Sequence, residues 1–74
     1  MGLSIKPQEL AKFLESQGFV FDRARGTSHH IYKKDGISVP VPFHKGKDVP
    51  KGTLFKILDI SELSKTDLEK WLGR

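Results

Sequence analysis

The first regular pattern in the chain is a helical one. Apolar residues recur at i, i+3 and i+4 and form one face: Leu10, Phe13 and Leu14. Pro7 suits the first helical position, and Gly18 suits the residue that follows a helix. The spacing therefore predicts a helix over about residues 7–17.

Strand-forming residues and turn signals alternate through the middle of the chain. Three strands are predicted, over residues 19–25, 28–34 and 37–42. The turn signals between them are Gly26-Thr27 and Asp35-Gly36, of which the second is typical of a two-residue hairpin loop.

Two prolines define the position of the third strand. Pro40 and Pro42 cannot donate hydrogen bonds to a sheet ladder. Because they are two residues apart, both missing N–H groups can point away from the second strand. The third strand is therefore expected at the edge of an antiparallel meander, where the prolines also block further pairing.

Helical spacing returns after the strands. Leu54, Ile57 and Leu58 predict a second helix that begins at Gly52 or Thr53, and residues 64–67 resemble the start of a final helical turn or two. The order α-β-β-β-α predicts an α+β fold, with a three-stranded antiparallel sheet that carries the helices on one face and leaves the other face open.

Length and charge narrow the class of protein. Seventy-four residues make one domain, 1–74, with a small core. Residues 23–56 hold eight Lys and Arg against only Asp35 and Asp48, and the whole chain carries +4. This balance favours nucleic acid or an acidic protein as partner. With no cysteine, no long apolar run and no signal-peptide pattern, a soluble cytoplasmic protein is expected.

The three histidines lie within or beside this basic region. Histidine can take and give protons near neutral pH, and RNA cleavage by transesterification needs both a base and an acid. His29 is the strongest candidate. It shares strand parity with Ile31, so it faces the helices if Ile31 does, unless a bulge or a frayed strand end redirects it. His30 is the alternative.

The loop before the second helix is the other candidate site. His44 is the first residue of this loop, and the lysines of the loop precede a helix N-terminus that can bind an anion such as phosphate. The alternative without a ligand is a helix that Thr53 caps. The histidines with Asp35 or Asp48 match no standard metal-ligand spacing, so no metal site is expected. The following aromatic residues are expected in the core rather than as base-stacking platforms: Phe13, Phe19, Phe21 and Trp71.

Several of these segments, taken in order, resemble the HicA-type toxins of bacterial toxin–antitoxin pairs. The resemblance covers nearly the whole chain. It rests on Gly18-Phe19, Ser28-His29-His30-Ile31-Tyr32, the strand Val39-Pro40-Val41-Pro42-Phe43-His44, and Lys51-Gly52-Thr53-Leu54 leading into Ile57-Leu58.

This resemblance implies a fold like a double-stranded-RNA-binding domain and an endoribonuclease that cleaves mRNA without a metal or other cofactor. It also implies a HicB-type antitoxin as protein partner, bound over the active site. The catalytic histidine of the family's Gly-Ser-His motif corresponds to His29. Thr27 stands where the family usually has glycine, and Gly26 is expected to serve the turn instead.

The remaining roles stay open at this point. The second proton carrier can be His30, His44 or water. The candidates for contact with RNA or its phosphates are Arg25, Ser28, Lys33, His44, Lys45, Lys47 and Lys51. Two other functions compete with cleavage: a non-catalytic RNA-binding module of the same fold, and a domain whose basic face meets an acidic protein.

Overall fold

The computed structural model describes residues 4–26 and 28–73. They form three helices and a three-stranded antiparallel sheet of strand order β1-β2-β3. The elements, in chain order, are α1 (Pro7–Ser16), β1 (Val20–Arg25), β2 (His29–Lys34), β3 (Ile37–Pro42), α2 (Lys51–Ile60) and α3 (Lys65–Leu72). This is the predicted α+β order and the arrangement of a double-stranded-RNA-binding-domain-like fold.

Local chemistry explains both ends of α1. Pro7 occupies its first position, and the Glu9 carboxylate accepts a hydrogen bond of 3.0 Å from the Lys6 backbone N–H. At the other end, Gly18 has a φ of 96°, which a side chain would strain. The Phe19 N–H then bonds the Leu14 carbonyl at 3.0 Å, which closes the helix and directs the chain into β1.

The start of α2 differs from the prediction. The helix begins at Lys51, with Pro50 at the N-cap, and no side chain caps it among the described residues. Thr53 therefore lies in the first turn and is not the cap. In contrast, the start predicted for the last helix is confirmed: Ser64 and Asp67 exchange two backbone-to-side-chain bonds of 3.0 Å. Hydrogen bonding by Ser64, first from its backbone N–H and then from its side chain, lowers the pKa of the Asp67 carboxyl.

The β2–β3 hairpin forms as predicted. Asp35 and Gly36 have φ values of 48° and 82°, so both central positions of the two-residue loop lie in the left-handed region. β3 is an edge strand, and Pro40 and Pro42 lie opposite Ile31 and His29.

A bulge interrupts the β1–β2 pairing. Phe21 lies opposite Tyr32, but the next paired residue is Arg23, opposite Ile31, so Asp22 is the extra residue. A bulge of one residue inverts the alternation of the side chains that follow it. Arg23 and Arg25 therefore share a face with Ile31 and not with Phe21.

The register defines two faces of the sheet, because residues directly opposite each other in an antiparallel pair share a face. Tyr32, Val39 and Val41 belong to the core cluster with the helices. The inner face therefore comprises Phe21, Ala24, His30, Tyr32, Val39 and Val41, and the outer face comprises Arg23, Arg25, His29, Ile31, Pro40 and Pro42. Of the outer-face residues, Ile31 and Pro42 are buried, so this face is only partly open.

The core lies between the inner face and the helices. Its fully buried side chains include Leu10, Phe13 and Leu14 of α1, Leu54 of α2 and Leu68 of α3. The prediction for the aromatic residues holds for Phe13 and Phe19, but Phe21 and Trp71 are 46% and 38% exposed. Phe21 lies on β1, whose residues are all exposed, and Trp71 covers Phe13 from outside, at 5.7 Å between ring centroids.

Within the described residues, no helix has the length and apolar character needed to cross a membrane.

Candidate active site

His29 is the first residue of β2, and its side chain is exposed on the outer face. The alternation of side chains along the strand predicted that His29 and Ile31 lie on the same face, and the strand register confirms this. The helices, however, pack on the opposite face, because it is Tyr32 that enters the core cluster. His29 is therefore available to a ligand without any redirection at the strand end.

His29 borders a shallow cavity of about 250 Å³ at the β3 edge of the sheet. The other residues that line this cavity are Pro40, Pro42, His44, Pro50 and Thr53. Three of these five are prolines, whose rings are rigid, so much of the cavity wall has little conformational freedom. The cavity thus brings together two histidines that are fifteen positions apart in the sequence.

A cation lies directly across the strands from His29. Arg25 pairs with His29 in the β1–β2 register and is exposed. Paired residues in an antiparallel sheet have Cβ atoms about 4.5–5.5 Å apart, so the guanidinium can reach a group held at His29. No salt bridge joins Arg25 to an acid within residues 4–26 and 28–73. Arg25 owes this position to the bulge at Asp22.

The other outer-face cations are partly neutralised. The Asp22 carboxylate bonds the Arg23 guanidinium at 2.7 Å and lies 3.6 Å from the Lys33 ammonium. Lys33 is also four residues from His29 along an extended strand, which is about 13 Å. Ser28, the half-buried neighbour of His29, uses its carbonyl to accept the Phe43 N–H.

The N-terminus of α2 opens beside the same cavity. Pro50 and Thr53 line it, and the first intrahelical bond of this helix runs from the Leu54 N–H to the Pro50 carbonyl, at 2.8 Å. The N–H groups of the preceding turn have no partner in the helix, and a helix N-terminus attracts anions. Lys51 lies in this turn but does not line the cavity.

Lys45 and Lys47 lie elsewhere, in a larger groove between the start of α1 and the loop after β3. His44 borders both the groove and the His29 cavity. Lys6 also lines the groove, where its ammonium bonds Asp48 at 2.9 Å. Hydrogen bonds from Ser4 and then from Lys6 hold the pKa of the Asp48 carboxyl below its ordinary value.

His30 has surroundings unlike those of its neighbour. It is half-buried on the inner face, stacks on Phe43 at 4.0 Å between ring centroids with an angle of 25°, and meets Phe21 at 5.5 Å. This side chain is packed among aromatic rings and does not line the His29 cavity.

No three His, Asp or Glu side chains in the described parts of the chain lie close enough together to hold a metal ion.

A sequence model of the family described as the HicA toxin of bacterial toxin–antitoxin systems matches residues 7–63. The chain belongs to the HicA toxin family. A search of curated proteins finds no significant match. The family match includes α1, the whole sheet and α2, and with them every residue that lines the His29 cavity, whereas α3 lies beyond it.

Sequence reasoning missed several residues of this candidate site. Thr53 was considered as a helix cap, but its half-buried side chain lines the His29 cavity. The three prolines of the cavity wall were considered only for strand pairing and turns. The one available signal was their clustering around His44, which could have indicated a rigid wall at the end of β3.

Thr27, which the resemblance placed where the similar toxins usually have glycine, lies outside the described residues. Gly26 is described, and its φ of 66° is the left-handed turn conformation expected of it.

Proposed function

We propose that this HicA-family protein is an endoribonuclease toxin that cleaves mRNA by transesterification, with His29 as a general acid or base. The observation that carries the proposal is the exposed His29 imidazole in a cavity that it shares with His44 and the uncapped start of α2. A proton carrier, a second proton carrier and an anion-binding helix end thus border one small space.

The chemistry divides among these groups. A base removes the proton of a ribose 2′-hydroxyl, whose oxygen attacks the adjacent phosphorus. The bond from phosphorus to the 5′-oxygen breaks, and an acid protonates that oxygen. The products are a 2′,3′-cyclic phosphate and a 5′-hydroxyl end, and the step needs no oxidant or second substrate.

His29 and His44 can supply the base and the acid, since both border the cavity. His30 is the weaker alternative because it is stacked on Phe43 on the opposite face. A positioned histidine contributes about 10²–10⁴-fold to such a reaction.

Arg25 and the first turn of α2 are the candidates for stabilising the charge that develops on the phosphoryl oxygens. Arg25 lies opposite His29, and the free N–H groups of α2 open beside the cavity. Prearranged donors and cations of this kind stabilise a transition state without reorganisation. All the proposed steps can therefore be performed by groups of the chain itself, and we propose that no metal is required.

An antitoxin of the HicB type is the proposed protein partner. A protein that inhibits by covering the cavity must present groups complementary to the exposed cations of the outer face. Acidic residues at its contact surface are therefore expected, and Arg25→Glu should weaken its binding.

The test is controlled expression of wild type and His29→Ala in bacteria, with growth and mRNA integrity followed together. The expected result is growth arrest with mRNA loss in the wild type alone. Purified proteins are then compared on RNA in the presence of a metal chelator, and the cleaved ends are analysed for cyclic phosphate. Retained cleavage in folded His29→Ala would overturn the assignment, and RNA binding without cleavage by the wild type would indicate a non-catalytic module.

A further inference from the structure

A groove lies beside the His29 cavity, and it is larger than that cavity. It encloses about 650 Å³ between the start of α1 and the loop after β3. The side chains that line it include Lys6, Gln8, Phe43, His44, Lys45 and Lys47. Among the described functional candidates, only His44 lines both this groove and the His29 cavity.

Phe43 gives the groove a fixed aromatic wall. Its N–H bonds the Ser28 carbonyl, so the backbone is held at the end of the β2–β3 ladder. One side of its ring stacks on His30 at 4.0 Å, and Phe21 supports His30 in turn at 5.5 Å. Since Phe43 is only half-buried and also lines the groove, part of this supported ring is open to a ligand.

The charges around the groove are those that suit a phosphate chain. Lys45 and Lys47 are exposed, and neither forms a salt bridge within residues 4–26 and 28–73. The Lys6 ammonium is held by Asp48 at 2.9 Å. Glu9 also lines the groove; its carboxylate accepts the Lys6 backbone N–H and keeps its negative charge, so Lys45 and Lys47 together outnumber it. Two uncompensated ammonium groups thus lie next to an aromatic wall, which is the combination that binds single-stranded nucleic acid.

We propose that this groove is a subsite for one nucleotide of single-stranded RNA, with its base stacked on Phe43 and its phosphates near Lys45 and Lys47. The inference rests on the function proposed above. Because His44 borders both spaces, the bound nucleotide is a neighbour of the one whose phosphate lies at His29. Phe43, Lys45 and Lys47 therefore position the RNA chain and take no part in the proton transfers, whereas His44 borders both spaces.

The first test places 2-aminopurine, whose fluorescence is quenched by stacking, at successive positions of a short single-stranded RNA. Binding is measured with His29→Ala, which prevents cleavage. One position is expected to be quenched on binding, and Phe43→Leu in the same background should abolish the quenching and weaken binding about 5- to 150-fold, the effect of one stacked base. Phe55→Leu is the control, since Phe55 is 41% exposed on α2 and does not line the groove.

A second pair of variants keeps the test decisive if Phe43→Leu fails to fold. Gln8→Glu and Thr66→Glu place the same acid at the second position of α1 and of α3, both exposed and both favourable for an acid at a helix start. Only Gln8→Glu adds a negative charge to the groove. It should lower RNA affinity several-fold, whereas Thr66→Glu should have a much smaller effect.

The outcomes separate the two proposals. Equal quenching in the Phe43 and Phe55 variants, or equal affinity in the Gln8 and Thr66 variants, would overturn the subsite while wild-type cleavage kept the proposed function intact. Absence of RNA binding by folded His29→Ala, together with absence of cleavage by the wild type, would overturn both.

Discussion

On the inner face of the sheet, His30 stacks on Phe43. Tyr32, which lies two residues later on the same face, is buried in the core cluster. On the outer face, His29 is exposed beside Arg25 and borders a cavity. His29 and His30 are consecutive residues of one strand and carry the same imidazole group, but their side chains lie on opposite faces of the sheet. The difference shows that the alternation of side chains along a strand, once one face packs against helices, decides which histidine is exposed.

The largest effect is expected from one substitution made at both positions. His29→Phe should lower the rate of RNA cleavage about 10²–10⁴-fold, because the proton carrier is lost from an exposed site where folding is unaffected. His30→Phe should leave the rate within a few-fold of wild type, because a phenyl ring can keep the stack on Phe43. Cleavage rates and thermal unfolding of both variants check this. A folded His30→Phe protein that cannot cleave RNA would transfer the role to His30.

A second comparison concerns packing on the two faces. Tyr32 and Ile31 are 6% and 5% exposed, but only Tyr32 belongs to the core cluster. Tyr32→Ala should lower the free energy of unfolding by about 3–5 kcal/mol, because the cavity forms between the sheet and the helices and cannot collapse. Ile31→Ala should cost about 2 kcal/mol or less, since outer-face side chains can relax into the space.

Denaturant unfolding of these two variants, with the exposed Val20→Ala as control, measures the difference. Val20 is 66% exposed, so its truncation should change the free energy of unfolding by less than about 0.5 kcal/mol. An equal loss for Tyr32→Ala and Ile31→Ala would mean that the outer face is packed as firmly as the inner one.

Removal of the Asp22 carboxylate should make the outer face more positive, because this carboxylate contacts Arg23 and Lys33. Asp22→Asn would release Arg23 and Lys33 from the contacts of 2.7 Å and 3.6 Å that now partly neutralise them. RNA affinity should rise a few-fold, and the slope of log affinity against log salt should steepen by about 0.7 for each phosphate gained on a single strand. Asp59→Asn, an equal change of net charge on α2, is the control, and an equal gain there would indicate a general charge effect.

The sequence predicted the features that depend on local signals. The Asp35-Gly36 hairpin and the edge position of a strand with two prolines follow from backbone rules that act within a few residues. The placement of His29 was left undecided because parity relates His29 to Ile31 but does not indicate which face meets the helices. Which face meets the helices depends on the packing of Val39 and Val41 in the core, and these residues are distant from His29 in the chain.

Two other features were beyond local reasoning. The bulge at Asp22 depends on the pairing of β1 with β2, and no residue type in 19–25 signals it, yet it brings Arg25 to the side of His29. The start of α2 was placed at Gly52 or Thr53 because these residues suit a helix start. The helix begins earlier, after Pro50, and so Thr53 faces the cavity.

The smallest expected effect is a change of stability at alkaline pH that arises on the inner face alone. Burial, and secondarily the charge of Glu15, raise the pKa of Tyr32 above its ordinary value of 10.0. The unfolded chain therefore loses this proton at a lower pH than the folded protein does. Between the two pKa values the folded state binds more protons, so stability falls as pH rises through that window and is unaffected below it.

Tyr32→Phe removes this contribution, so its stability relative to wild type should be constant up to about pH 10 and should then increase. Tyr32 is the only tyrosine in the chain, so tyrosinate absorbance reports its folded pKa directly. A folded-state pKa at or below the ordinary value of 10.0 would mean that the Tyr32 hydroxyl is exposed to water, as the His29 side chain is. The contrast between the two faces of the sheet would then not hold at Tyr32.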